Sequence, residues 1–273
     1  MLDREEYIEQ AYFFGTLNDR LDASLPLQDL LGSLRDELLA TTRLPLAIDF
    51  LLSELMHCGV MSTAMRRLEH YFAPFQTHVI SEAEKEEGRF DMRVGLQILR
   101  DEAKYRAENG GRPGLFLYQF EVLCRNRLNY DRGLEAMSRD PAYDESWRTW
   151  ILAVRREVGI VEVADMIYSR SEHYVMQLAR EGHSRDELPP PLFGQREGRI
   201  AQANRRKDPL LLFSALQRQL GYPAVPRLKP YDSRQDLVPQ MARRLERLEA
   251  RMKLMEEEQK GGIDITRFYH PDQ

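Results

Sequence analysis

PLQDLLGSLRDELL, residues 26–39 of this 273-residue chain, carries the pattern that decides the fold class. Its leucines recur every three or four residues along one helical face, at Leu27, Leu30, Leu31, Leu34, Leu38 and Leu39. Pro26 is suited to the first turn of such a helix. Most other segments have the same period, and no run alternates with period two for long enough to predict a sheet. The sequence therefore predicts an all-α protein.

Glycine and proline divide the helical pattern into segments. A helix is predicted to begin at an Asp3 N-cap, and another begins at Pro45 and ends near Gly59. The remaining predicted helices span about 60–72, 75–87, 90–108, 115–128, 131–139, 143–157 and 160–181.

Two fragments that begin at Gly95 and Gly133, 38 residues apart, show a faint internal repeat. They resemble the second helices of tetratricopeptide-type hairpins, and the likeness extends over residues 59–157. The spacing departs from the period of ~34 residues that such arrays keep, so it assigns no family. It implies a body of stacked helical hairpins.

Proline-rich stretches around Pro189–Pro191 and Tyr222–Pro226 predict connectors between parts of the chain. The predicted organisation is a helical body (1–182), a linker (183–194), a small basic helical module (195–221), a second linker (222–233), a coiled-coil helix (234–260) and a C-terminal tail (261–273).

A narrow apolar stripe near the C-terminus predicts the coiled coil. It follows alternating three- and four-residue steps, which correspond to heptad a and d positions, at Val238, Met241, Leu245, Leu248, Met252 and Met255. Arg244 and Arg251 take g positions, and Glu249 and Glu256 take the e positions five residues further on. In a parallel pair of identical helices, each g arginine would meet an e glutamate of the partner. We expect a homo-oligomer, with docking onto the same chain or onto another protein as the alternatives.

The tail after Gly261-Gly262 is apolar for a chain terminus, because terminal segments are usually polar. It carries Ile263, Ile265, Phe268 and Tyr269. These four residues are predicted to dock either onto another protein or back onto the body.

Composition indicates a soluble, helix-rich protein, with 42% hydrophobic and 30% charged residues. The first residues are polar, and no apolar run is long enough to span a bilayer, so we expect a cytoplasmic protein without membrane contact. Cys58 and Cys124 are far apart in the sequence and indicate reduced thiols rather than a disulfide framework.

Charge is distributed unevenly within the net value of −5. Residues 1–110 hold 12 Lys and Arg against 20 Asp and Glu, whereas residues 195–229 hold eight basic and two acidic residues. Such a basic segment can contact nucleic acid, but only Phe213 and Tyr222 are available for base stacking. The preferred interpretation is that it lies against the acidic body of the same or a neighbouring chain.

Few residues of the sequence have the spacing of a metal or catalytic site. Glu54 and His57 form an E-x-x-H pair on one helical face, the spacing that di-iron proteins use, but the second such pair is missing. His70 and His78 flank Pro74 ahead of an acidic run, where incidental histidines at a solvated helix end are the preferred interpretation. Glu54, His57 and His70 are thus the weakly supported metal candidates, and we predict no catalytic residues and no cofactor.

These patterns predict a non-enzymatic scaffold or adaptor that self-associates and holds partner proteins. The alternatives are a metal protein or enzyme with a pocket in the helical body, and a nucleic-acid-associated protein that uses residues 195–229.

Overall fold

The computed structural model describes residues 2–21, 26–85, 90–182 and 189–227, and the regular elements within these ranges are helices. Two isolated bridges, Val158 with Val161 and Ser171 with Phe193, are the β-type pairings among them. The all-α prediction is therefore confirmed for the described residues. The helices are α1 Arg4–Arg20, α2 Leu27–Glu37, α3 Leu44–Cys58, α4 Met61–Arg67, α5 Pro74–Ala83, α6 Met92–Ala107, α7 Arg112–Asn126, α8 Tyr130–Ser138, α9 Glu145–Glu157, α10 Val163–Ser169, α11 Glu172–Arg180, α12 Gln195–Ala203 and α13 Pro209–Leu220.

The predicted coiled-coil helix at residues 234–260 and the tail at residues 261–273 lie outside the described residues. Within the described ranges, no helix is long and apolar enough to cross a membrane.

Local start and stop signals position several helices as the sequence predicts. Pro26 immediately precedes α2, and Pro45 lies in the first turn of α3, where its missing amide hydrogen costs no helical bond. Gly59 ends α3 in the left-handed region with a φ of 71°, which glycine adopts without a steric penalty. Asp3 occupies the N-cap position of α1, although its side chain makes no capping hydrogen bond.

The prediction of one helix over residues 160–181 is wrong, because the structure has two, α10 and α11. The break occurs at Arg170–Ser171, where the Arg170 carbonyl accepts hydrogen bonds from the amides of Leu192 and Phe193. Ser171 then caps α11 by accepting from the Tyr174 amide. A contact with a segment about 20 residues away therefore interrupts a continuous helical pattern.

The core joins helices that are near and far in sequence. Neighbouring helices pack against each other, and α1 packs along α6 in the most extensive helix pair of the described residues. An aromatic cluster connects α7, α9 and the segment before α12, with Phe116, Trp147, Trp150 and Phe193 in ring contact. Both tryptophans are core residues, since each is at most 5% exposed.

A buried polar network also ties α6 to later elements. Arg106 on α6 forms ion pairs with Glu102 one turn earlier and with Asp140 between α8 and α9. Gln119 on α7 donates to Glu102 at 2.6 Å and accepts from the Tyr143 hydroxyl at 2.8 Å. Because buried charges are tolerated only when they are paired, this network specifies how the three segments meet.

Helices α12 and α13 pack against the earlier helices. Helix α12 contacts α10 and α11, and α13 contacts α7. Tyr222, which follows α13, is 2% exposed, and its hydroxyl donates to Glu121 on α7 at 2.9 Å. The residues that the sequence assigns to a second linker therefore begin with a buried side chain.

Candidate functional site

The weakly supported metal candidates do not form a ligand cluster. Glu54 on α3 is paired with Arg67 at 2.7 Å, and the side chains of His57 and His70 are exposed. Among the described residues, no group of three or more histidine, cysteine or acidic side chains is arranged to hold a metal ion. The charged face of α3 thus engages α4 through an ion pair.

His78 is buried, in contrast to the solvated position that its sequence context indicates. It lies on α5, 8% exposed, and faces α8 at Gly133. A Cβ atom on Gly133 would lie 3.2 Å from His78 Nε2 and 2.6 Å from Leu123 Cδ2, so glycine permits the close approach of α8. Burial lowers the pKa of His78 below its usual range, so the imidazole is neutral near pH 7.

The acidic residues after His78 are not simply solvated either. The Glu84 carboxylate accepts from the backbone amides of Met61 and Ser62, at 2.5 and 3.0 Å. These amides belong to the first turn of α4, which has no intrahelical partner for them. Glu84 therefore caps α4 from a neighbouring helix.

A polar cleft of about 270 Å³ lies beside His78, between α5, α8 and the end of α4. It will be called the α5–α8 cleft. Its lining combines basic, acidic and small polar side chains, namely Arg66, Glu69, Pro74, Thr77, His78, Ser81, Glu82, Arg132, Glu135, Ala136 and Arg139.

A second, wider cleft of about 590 Å³ runs between α1 and α6. It will be called the α1–α6 groove. Small residues lie along it, and two large apolar side chains, Ile8 and Tyr12, are 43% and 46% exposed there. The lining residues are Arg4, Ile8, Ala11, Tyr12, Gly15, Thr16, Asp19, Arg100, Lys104, Ala107 and Glu108.

Part of the basic stretch contacts the same chain. Arg205 forms an ion pair with Asp165 at 2.5 Å and lies 4.0 Å above the Tyr168 ring. The Arg206 amide donates to Glu162. In these contacts, two residues of the basic stretch lie against acidic residues of the same chain.

Cys124 is unsuited to nucleophilic chemistry. Burial raises the pKa of its thiol to about 11, so the reactive thiolate is scarce at neutral pH. The chain matches no protein-family model, no curated protein and no solved structure.

The sequence pointed to neither cleft. The α5–α8 cleft depends on the packing of α5 against α8, two helices that are about 50 residues apart in sequence. The sequence held one signal for the α1–α6 groove. Tyr12 follows Ile8 by four residues, which places both apolar side chains on one face of α1.

Proposed function

We propose that this protein is a non-enzymatic scaffold that self-associates through residues 234–260 and holds a partner protein on its helical body. The observation that carries the proposal is the α1–α6 groove. Apolar side chains on a protein surface usually have partners when they line a concavity, and two large ones do so here.

The groove has features that suit a protein segment. Ala11, Gly15 and Ala107 are small, which lets α1 and α6 approach each other closely along the groove. The charged side chains at its edge are of both signs, since Arg100 and Lys104 are accompanied by Asp19 and Glu108, and Arg100 pairs with Asp101 at 2.9 Å. A segment with an apolar face and flanks of mixed charge would match both properties.

Partner binding can be tested by comparing two single substitutions. Ile8→Asp places a charge in the groove, and Ile160→Asp places the same charge at another exposed apolar residue, 85% exposed between α9 and α10. Each tagged full-length protein is used to recover proteins from a native lysate. We expect a partner that wild type and Ile160→Asp recover and that Ile8→Asp loses. Equal recovery by the two variants would contradict a role for the groove.

Self-association rests on the heptads, where the seam is predicted to include Leu245 and Leu248. We expect full-length wild type to be an oligomer by light scattering after size-exclusion chromatography. Leu248→Asp should be a monomer, because a d-position charge disrupts the apolar seam. Ala250→Asp adds the same charge at an outward f position and should remain oligomeric. A monomeric wild-type protein would refute the homotypic coiled coil.

A further inference from the structure

Three arginines line the α5–α8 cleft. Arg66 comes from α4, Arg132 from α8 and Arg139 from the end of α8. Among the described residues, their guanidinium groups make no hydrogen bond or ion pair, whereas many other arginines of the body are paired. Unpaired cations that converge from separate elements create a positive potential at one place on the surface.

The acidic residues of the cleft do not cancel that potential. Glu82 pairs with Lys85 at 2.5 Å, and Glu135 pairs with Arg155 at 3.3 Å. Lys85 and Arg155 lie outside the cleft lining, and Arg155 also pairs with Asp131 at 2.6 Å, so its one positive charge is shared between Asp131 and Glu135. When Lys85, Asp131 and Arg155 are counted with the charged lining residues, the local balance is a surplus of one positive charge.

The wall of the cleft contains polar atoms that lack partners. Thr77 and His78 both line it and are 7% and 8% exposed. Within the described part of the chain, neither Thr77 Oγ1 nor His78 Nε2 has a hydrogen-bond partner. Buried polar groups are nearly always satisfied, because leaving one unpaired is costly. His78 Nε2 lies close to Gly133 on α8, so the Thr77 hydroxyl is the unpartnered group that a polar ligand in the cleft would satisfy.

We propose that the α5–α8 cleft binds the phosphate group of a small molecule, either inorganic phosphate or a small phosphomonoester. A phosphate group is an anion, so it suits a cleft with a surplus of positive charge. Planar guanidinium groups bind phosphate oxygens with paired hydrogen bonds. The volume of about 270 Å³ is below that of sites for drug-sized ligands, so it suits a phosphate with only a few further atoms.

This binding is independent of the scaffold role, since the cleft lies on α4, α5 and α8 and the groove lies on α1 and α6. The arginines are exposed, so their attraction for the ligand is screened by salt. Affinity for phosphate should therefore fall as sodium chloride is added.

The test is isothermal titration calorimetry of the full-length protein with inorganic phosphate, glycerol phosphate and acetate. Arg66→Gln and Arg132→Gln each remove one positive charge from the cleft. Arg218→Gln is the matched control, because Arg218 is an exposed arginine on α13 without a partner among the described residues. All three positions are exposed, so helix content and melting temperature should be unchanged, as circular dichroism will verify.

We expect phosphate to bind more tightly than acetate, each cleft variant to weaken phosphate binding about tenfold, and the control to bind as wild type does. Tighter binding of glycerol phosphate than of inorganic phosphate would support the proposal and identify the phosphomonoester as the ligand, and the reverse order would support inorganic phosphate. Absence of phosphate binding, acetate binding of equal affinity, or equal weakening in Arg218→Gln would overturn the proposal.

Discussion

Gly133 shows how one residue without a side chain positions a helix. Its missing Cβ leaves room for the Leu123 methyl groups and for the His78 ring, so α8 approaches both α7 and α5 closely. Helical glycine ordinarily destabilises a helix relative to alanine, by about 0.5–1 kcal/mol. At Gly133, the tertiary contact outweighs that local cost.

The first prediction compares two glycine-to-alanine substitutions in helices. Gly133→Ala should lower the free energy of unfolding by about 1–3 kcal/mol, because the new methyl overlaps Leu123 at 2.6 Å. Gly32→Ala on α2 should raise it by up to about 1 kcal/mol, because nothing lies within 4 Å of the added atom. Urea denaturation measures both. Equal effects at the two positions would show that Gly133 is not sterically constrained.

His78 makes the stability of the body depend on pH. Burial is the main cause of its lowered pKa, with smaller influences from Glu82, Lys85 and Arg132. Below about pH 6.5, an unfolded histidine binds a proton that the folded one does not. Above pH 6.5, His78 is neutral in both states and does not change the free energy of unfolding. As the pH falls from 6.5 towards the pKa of the folded state, the unfolded state gains a proton first, so the free energy of unfolding decreases.

The second prediction concerns this slope. Between pH 6.5 and 5.5, we expect the unfolding free energy of wild type to decrease, with His78 contributing at most about 1.4 kcal/mol per pH unit. His78→Gln should have a shallower slope, whatever its stability at pH 7.5. Urea titrations at several pH values measure the slope. A variant slope identical to that of wild type would be evidence against a buried neutral His78.

At the scale of elements, α4 depends on a residue that it does not contain. With seven residues, it is too short to be stable in isolation, because helix nucleation is costly. Its N-cap, Val60, has no side-chain acceptor, and Glu84 supplies the acceptor for two amides of the first turn. The negative charge of Glu84 also interacts favourably with the helix dipole.

The third prediction is therefore that Glu84→Ala destabilises the protein by about 1–2 kcal/mol, the usual cost of losing an N-cap acceptor. Glu84→Gln keeps one acceptor oxygen but loses the charge, so it should fall between alanine and wild type. Glu69→Ala serves as the control, since Glu69 is exposed and has no described partner. If all three variants melt at the same temperature, Glu84 is not an important cap.

Elements with local signals are the ones that the sequence predicted well. Helix α3 has Pro45 in its first turn and ends at Gly59, and each signal acts within one turn. The break at Ser171 was missed because the bonds between Arg170 and the Leu192–Phe193 amides connect segments that no periodicity relates. The burial of His78 was missed for the same reason, since α8 supplies the covering surface. The two clefts were missed because each one exists only where helices distant in sequence meet.

At the scale of the whole molecule, contacts over long sequence distances close the helical body. Helix α1 packs on α6, the Arg106 network joins α6 to the turn before α9, and Tyr222 returns to α7. Residues Met1–Leu228 accordingly form one compact unit, with residues 229–273 outside it. The C-terminal boundary of that unit can be located from the last residues that make buried contacts.

The last residues that make buried contacts are those that follow α13. The Tyr222 ring packs on Tyr118, with 6.5 Å between the centroids, and Asn126 donates to the Pro226 carbonyl at 3.2 Å. The last prediction follows from these contacts and compares two truncations. A chain that ends at Asp232 keeps every one of them and should unfold at the same temperature as the full chain.

A chain that ends at Gly221 loses the Tyr222 ring and should be less stable by about 3–5 kcal/mol, the cost of removing a buried aromatic side chain. This truncation also removes the Tyr222 hydroxyl, which donates to the buried Glu121 carboxylate, 2% exposed. Glu121 then keeps its ion pair with Arg125 but loses that hydrogen bond. Tyr222→Phe in the Asp232 chain separates these contributions, because it keeps the ring and should cost only about 1 kcal/mol. Thermal and urea unfolding measure all three. If the two truncated chains were equally stable, the body would end before Tyr222, and the contacts of that residue with α7 would contribute nothing to folding.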